Sequence, residues 1–139
     1  LIRSFDPEVL RKAVEPYPDS FDPEEFNFEA WLDSRNVMFE EDGSVGLFSF
    51  DSPYVYTGHW YFKKGHRPDL AKDMISVMYR YYGMEVLKGF TPVELRGVIL
   101  AAKRLGMKSY GVTTGNPPFH NKQYELLIMT KNEFYKRNK

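Results

Sequence analysis

The sequence predicts an α/β domain: a central mixed sheet with helices on both faces, occupying residues 1–139 as a single unit. Three observations carry this expectation. Helix-start signals recur at Asp6-Pro7-Glu8 and Asp22-Pro23-Glu24-Glu25. An Asp42-Gly43 hairpin signal sits between two runs rich in strand-forming residues. In the second half, strand-like runs alternate with amphipathic helical patterns, which implies β-α-β crossovers. The elements read in the order β-α-α-β-β-β-α-β-α-β-β, and a length of 139 residues suits one hydrophobic core.

Residues 2–5 read as a short strand. Asp6 then offers an N-cap, Pro7 the first helical position and Glu8 an early acid, opening a helix that ends before Pro16. Asp22 and Glu25 form a capping box, and the helix they open carries Phe26, Ala30 and Trp31 and breaks near Ser34. Val37-Met38-Phe39, the Asp-Gly turn and Val45 to Phe50 make a hairpin. Tyr54 to Phe62 is the longest strand. Its alternation puts Tyr54, Tyr56, Gly58, Trp60 and Phe62 on one face, with Val55, Thr57, His59 and Tyr61 on the other. Both faces are largely apolar or aromatic, as in a central strand covered on both sides.

Pro68 starts a helix whose buried stripe is Leu70, Met74, Ile75, Met78 and Tyr81, stopped by Gly83. Tyr79 and Tyr82 fall outside that stripe and read as an exposed aromatic pair suited to a protein interface. Glu85 to Phe90 is a strand. Thr91-Pro92-Val93-Glu94 reads as a capping box for a helix striped by Leu95, Val98, Ile99, Ala102 and Leu105 and ended by Gly106. Lys108 to Thr114 is a strand, Asn116-Pro117-Pro118 breaks it, and Gln123 to Thr130 closes the chain as the last strand.

Composition removes several function classes. Lys+Arg and Asp+Glu number 19 each, so global charge gives no support for nucleic-acid or membrane binding. The absence of Cys excludes a disulfide framework, a thiolate metal site and a thiol nucleophile. No apolar run approaches a membrane span and the start lacks a signal-peptide pattern, so the expected location is the cytoplasm. No Walker loop, Rossmann fingerprint, zinc spacing or Ser/His/Asp set is present. Glu40, Glu41 and Asp42 bunch at a hairpin tip without converging ligands, which reads as a solvated turn and no metal site.

The order of elements resembles the GNAT (GCN5-related N-acetyltransferase) superfamily over nearly the whole chain. The strongest local match runs from Val86 to Gly111. Val86-Leu87-Lys88-Gly89-Phe90 followed by Thr91-Pro92-Val93-Glu94-Leu95-Arg96 resembles the family's fifth strand and the start of its fourth helix. Arg104-Leu105-Gly106-Met107-Lys108 resembles its helix-to-strand ending. Thr91 to Glu94 with Arg96, spaced this way before Gly106, is also similar to small GNAT-like proteins of tailed bacteriophages.

The resemblance implies a coenzyme A pyrophosphate site at the turn from the fourth strand to the third helix, where the family carries Gln/Arg-x-x-Gly-x-Gly/Ala. The matching stretch is His66-Arg67-Pro68-Asp69-Leu70-Ala71, in which only Ala71 fits. Asp69 places a carboxylate where a small residue belongs, and Pro68 lacks an amide donor. The family's frequent Asn and general-acid Tyr of the fourth helix fall on Leu95 and Ala102. The basic cluster Lys63, Lys64, His66 and Arg67 around Gly65 still suits an anion at a helix start.

The candidate cofactor-binding residues for acetyl-CoA or CoA are therefore Lys64, Gly65, His66, Arg67 and Ala71, and the candidate general base is His59. His120, after Pro117-Pro118-Phe119, is a candidate substrate contact. Two functions follow. One is an acyl-CoA N-acyltransferase. The other is a non-catalytic GNAT-like protein, such as a phage virion, head-assembly or host-interaction component, acting with a protein partner or as a homo-oligomer.

Overall fold

The computed structural model describes residues 1–17, 26–115 and 122–138. In chain order its elements are β1 (Ile2–Arg3), α1 (Pro7–Val14), α2 (Phe28–Leu32), β2 (Val37–Glu41), β3 (Ser44–Ser52) and β4 (Val55–Tyr61), then α3 (Leu70–Tyr81), β5 (Val86–Pro92), α4 (Arg96–Leu105), β6 (Lys108–Thr114), β7 (Gln123–Thr130) and α5 (Lys131–Arg137). The strands form a seven-stranded sheet in the order β1-β2-β3-β4-β5-β7-β6. The expected mixed α/β class holds, and β4 is the middle strand, as its two apolar faces implied. The chain forms two compact units, Leu1–Asp51 with Thr57–Met78 and Ser52–Tyr56 with Tyr79–Lys139. Among the described residues, no helix is long and apolar enough to cross a membrane.

In the first unit, local chemistry sets most element ends. The Asp6 carboxylate accepts the Glu8 amide at 2.9 Å and starts α1 where the sequence indicated. α2 starts later than expected. Asn27, with extended backbone, accepts the Ala30 amide at 2.9 Å, so Phe26 precedes the helix instead of lying in it. The Asp22–Glu25 capping box lies outside the described residues. The β2–β3 turn has both central residues left-handed, Asp42 at φ 51° and Gly43 at φ 84°, the backbone that a two-residue hairpin favours.

Strand alternation then builds a core on each face. Met38, Val45, Leu47 and Tyr61 gather with Leu10 and Val14 of α1 and Leu32 of α2. On the opposite face, Phe48 is fully buried and meets Phe39 and Trp60 edge-on, with ring centroids 5.9 and 5.3 Å away. α3 descends onto this second face at Gly46. A Cβ there would run into Met74 Sδ and come within 3.2 Å of the Trp60 ring, so glycine supplies the space that the helix occupies. α3 itself begins at Leu70, because Pro68 and Asp69 are spent on the preceding turn.

In the second unit, β7 lies between β5 and β6 and runs antiparallel to both. Here the Thr91 capping box fails. Thr91 and Pro92 stay in β5, opposite Glu125 and Tyr124 of β7, and the Val93 amide donates to the Gln123 carbonyl at 3.1 Å. Pairing with a distant strand outcompetes a local cap. α4 therefore starts at Arg96 without a side-chain cap. Of its expected stripe only Ile99 is fully buried, while Leu95 and Val98 remain about half exposed.

The chain also continues past β7 as a helix, where the sequence reading ended on a strand. Thr130 Oγ1 accepts the Glu133 amide at 3.2 Å and Glu133 Oε1 accepts the Thr130 amide at 2.9 Å, a complete capping box. α5 in turn corrects the tyrosine assignment. Tyr79 is buried, its hydroxyl donates to the Met129 carbonyl at 2.9 Å, and its ring lies 5.3 Å from that of Phe134. Tyr81, expected inside, is 72% exposed, and Tyr82 is half-buried. Phe134 and Met129 cover Tyr79, which periodicity within α3 cannot show.

Lys108 Nζ lies 2.7 Å from Glu133 Oε2. Together with the Thr130 amide, it holds the Glu133 carboxyl down to about 2, from an ordinary value of 4.5. A depressed folded-state value stabilises the fold above pH 4.5 and stops doing so as pH falls towards 2. Glu133→Gln keeps the cap's shape but not its charge. It is expected to cost about 1 kcal/mol at neutral pH. Urea melts should show the gap to the parent protein closing as pH falls from 4.5 towards 2. A gap constant across that range would remove the charge from the explanation.

Candidate active site

β4 leaves the sheet after Tyr61 and turns into α3 within the first unit. The His66 amide donates to the Lys63 carbonyl at 3.2 Å, closing a turn whose third residue, Gly65, sits at φ 86°. A Cβ at Gly65 would meet nothing within 4 Å, so this glycine serves the backbone conformation and not a tight contact. His66 Nδ1 lies 2.9 Å from the same carbonyl, an acceptor, so Nδ1 carries the hydrogen and Nε2 is left for another partner. Its ring rests on Phe62, centroids 4.9 Å apart. The Lys63 amide donates to Ser44 Oγ at 2.8 Å and ties the turn to the β2–β3 hairpin.

Arg67 is committed to protein partners. Its Nε and Nη2 bind Glu41 at 2.7 and 3.1 Å, and Nη1 binds Asp73 Oδ2 at 2.5 Å. The guanidinium holds the Glu41 carboxyl below its usual range, and the two carboxylates keep Arg67 firmly charged. Glu41 is thus no solvated hairpin acid. It joins the hairpin to the start of α3 through Arg67, a link between residues 26 positions apart that no sequence pattern signals.

The first turn of α3 retains donors. Leu70 donates to the Arg67 carbonyl at 3.2 Å and Asp73 to the Asp69 carbonyl at 2.9 Å. The amides of Ala71 and Lys72 take no backbone acceptor among the described residues. The turn therefore brings Lys64, Gly65, His66, Arg67 and Ala71 into one short stretch. Its donors for an anion are Lys64, His66 Nε2 and the amides at Ala71 and Lys72, while Arg67 is already neutralised.

His59 lies on β4 two residues before Tyr61, on the face covered by α1 and α2. It is half-buried, and burial pushes its imidazole below the ordinary value while the nearby Asp51 carboxylate pulls the other way. Asp51 Oδ2 accepts the Thr57 hydroxyl at 2.8 Å, which holds the carboxylate in place. At neutral pH the imidazole is uncharged and able to take a proton. His120 lies outside the described residues.

No family model matches the sequence, and no curated protein sequence matches it. Solved structures do match in fold. The chain is similar to a spermidine N-acetyltransferase SpeG chimera from Vibrio cholerae and hSSAT, with a TM-score of 0.69 and 9% identity over 97% of this chain and 98% of that one. It is similar to an acetyltransferase (GNAT family) from Bacillus anthracis, with a TM-score of 0.66 and 16% identity over 94% of each chain. A GNAT-family protein from Desulfovibrio desulfuricans gives a TM-score of 0.65 and 16% identity over 93% and 96%. At such identities the likeness establishes the fold: this chain has the fold of GNAT acetyltransferases.

Proposed function

We propose that the chain is an N-acyltransferase domain that takes its acyl group from acyl-CoA and passes it to an amine. The observation that carries this reading is a neutral, half-buried His59 on the strand that leads into a donor-bearing turn and helix start. The turn fits a pyrophosphate in part. Lys64, His66 Nε2 and the amides of Ala71 and Lys72 suit it, whereas Arg67 is held by Glu41 and Asp73. Bound acyl-CoA supplies a thioester carbonyl as electrophile and a thiolate as leaving group.

This chain's own contribution is binding and proton transfer. Lys64 and the helix-start amides hold the phosphates. A ring nitrogen of His59 takes the proton that the amine loses as its nitrogen bonds to the acyl carbon. Asp51 offsets the positive charge that forms on the ring. A second reading, a non-catalytic GNAT-fold protein such as a virion, head-assembly or host-interaction component with a protein partner, draws support from the neutralised Arg67.

Calorimetric titration with acetyl-CoA and with CoA separates the two. Micromolar binding is expected, weakened roughly 10-fold by Lys64→Glu, a loss of about 1.4 kcal/mol. Arg67→Gln is expected to shift affinity less than about 3-fold while lowering thermal stability, since its partners are protein carboxylates. No heat at millimolar ligand would remove the nucleotide site and leave the binding-protein reading.

A further inference from the structure

A cavity of about 210 Å³ lies in the first unit between the end of α1, the β2–β3 turn and the end of β4. Its walls include Lys12, Lys63, Lys64, Tyr17, Tyr61 and Gly43, and among the described residues none of its lining is acidic. A depression of about 520 Å³ beside α1 and α2 is larger, but Arg11, its one cation among the described residues, is already paired with Glu8. The smaller cavity has charge to offer. Lys12, Lys63 and Lys64 form no ion pair among the described residues, whereas Arg11, Arg67, Lys103 and Lys108 all do. Lys12 and Lys63 on one concavity repel each other, and an anion between them relieves that repulsion.

The site is also shaped. Lys63 lies across Gly43, where an added Cβ would run into its Nζ and Cε, so the missing side chain is what seats the ammonium at the wall. Gly43 is already required by the turn, at φ 84°. Tyr17 and Tyr61 meet edge-on at 5.3 Å. Tyr61 is buried, and Tyr17 keeps 43% of its surface open for stacking. Size limits the occupant. Since about 150 Å³ of apolar cavity accommodates benzene, this space suits one ring with a small charged group and not a whole nucleotide.

We propose that this cavity binds a small aryl anion, a single aromatic ring bearing a phosphate or carboxylate, separately from the acyl donor. The ring stacks on Tyr17 and the anionic group lies between Lys12 and Lys63, Lys64 being left to the turn before α3. The proposal stands whether or not the chain is an acyltransferase.

The test is calorimetric titration of the full chain with phenyl phosphate, against phenol and inorganic phosphate as half-ligands. Saturable binding of phenyl phosphate is expected, with each half-ligand at least roughly 10-fold weaker. The Lys12→Gln/Lys63→Gln double variant should weaken it by roughly 10-fold or more, and Arg11→Gln, in the other depression, should leave it unchanged. Thermal melts of the double variant establish that it is folded before binding is compared. Three outcomes overturn the proposal: no saturation up to ~20 mM, which is weaker than about 2.3 kcal/mol of binding; affinity unchanged in the folded double variant; or displacement of phenyl phosphate by saturating CoA, which would make the cavity part of the nucleotide site.

Discussion

Replacing His59 by alanine is expected to slow acyl transfer by about 10²–10⁴-fold, the range that a positioned general base supplies. The fold should survive, because His59 is only half-buried. The pH profile distinguishes a base from a packing residue. Burial lowers the imidazole value below 6.5 against the pull of Asp51, so kcat/KM should fall on the acid side with a midpoint below 6.5. Stability carries the same sign. The unfolded chain binds the proton more readily, so the stabilising share of a neutral His59 is complete above pH 6.5 and fades as pH drops through the folded value. His59→Gln should abolish the acid limb of the rate profile. An unchanged rate and limb in a folded His59 variant would take the catalytic role away from this residue and leave the fold assignment untouched.

Phe48→Ala is expected to cost about 3–5 kcal/mol, a large fraction of the 5–15 kcal/mol that a domain of this kind holds in reserve. Phe48 is completely buried between Phe39 and Trp60, with ring centroids at 5.9 and 5.3 Å. Its neighbours have little freedom to fill the hole. Trp60 already bears on Gly46, and Met74 of α3 fills the space over that glycine. Urea denaturation should show a lower midpoint with an unchanged slope. Phe48→Leu, which keeps most of the volume, should cost under about 1.5 kcal/mol. Equal losses for the two variants would show that the core relaxes around position 48 and that Gly46 does not fix the depth of α3.

Near the site, the sequence shows the kind of feature present but not all of its consequences. The basic turn around Gly65 is a turn, and its cations do collect before α3. Yet Lys63 and Lys64 also border a cavity on the side of α1, while Arg67 is spent on Glu41 and Asp73. The sequence alone reads Glu41 as a solvated hairpin acid. Nothing in the order Glu40-Glu41-Asp42 says that Glu41 is the one whose side chain reaches Arg67, 26 positions away.

What the sequence by itself determined lies within a few residues along the chain. The Asp6 cap, the left-handed Asp42-Gly43 turn, the two faces of β4 and the Leu70–Met74–Met78 stripe all depend on contacts one to four residues apart. The element order follows from these, and with it the α/β class. What only the tertiary structure decided depends on distant partners. Thr91 belongs to a strand because β7 pairs with it, against a strong local cap. Tyr79 is buried because Met129, 50 positions away, accepts its hydroxyl and Phe134 covers its ring. His59 could be assigned a face from alternation, but its depressed imidazole depends on how deeply α1 and α2 cover β4 and on where Asp51 stands. Local signals fix the dihedrals of each element; burial and charge pairing arise only when elements far apart in the chain are brought together.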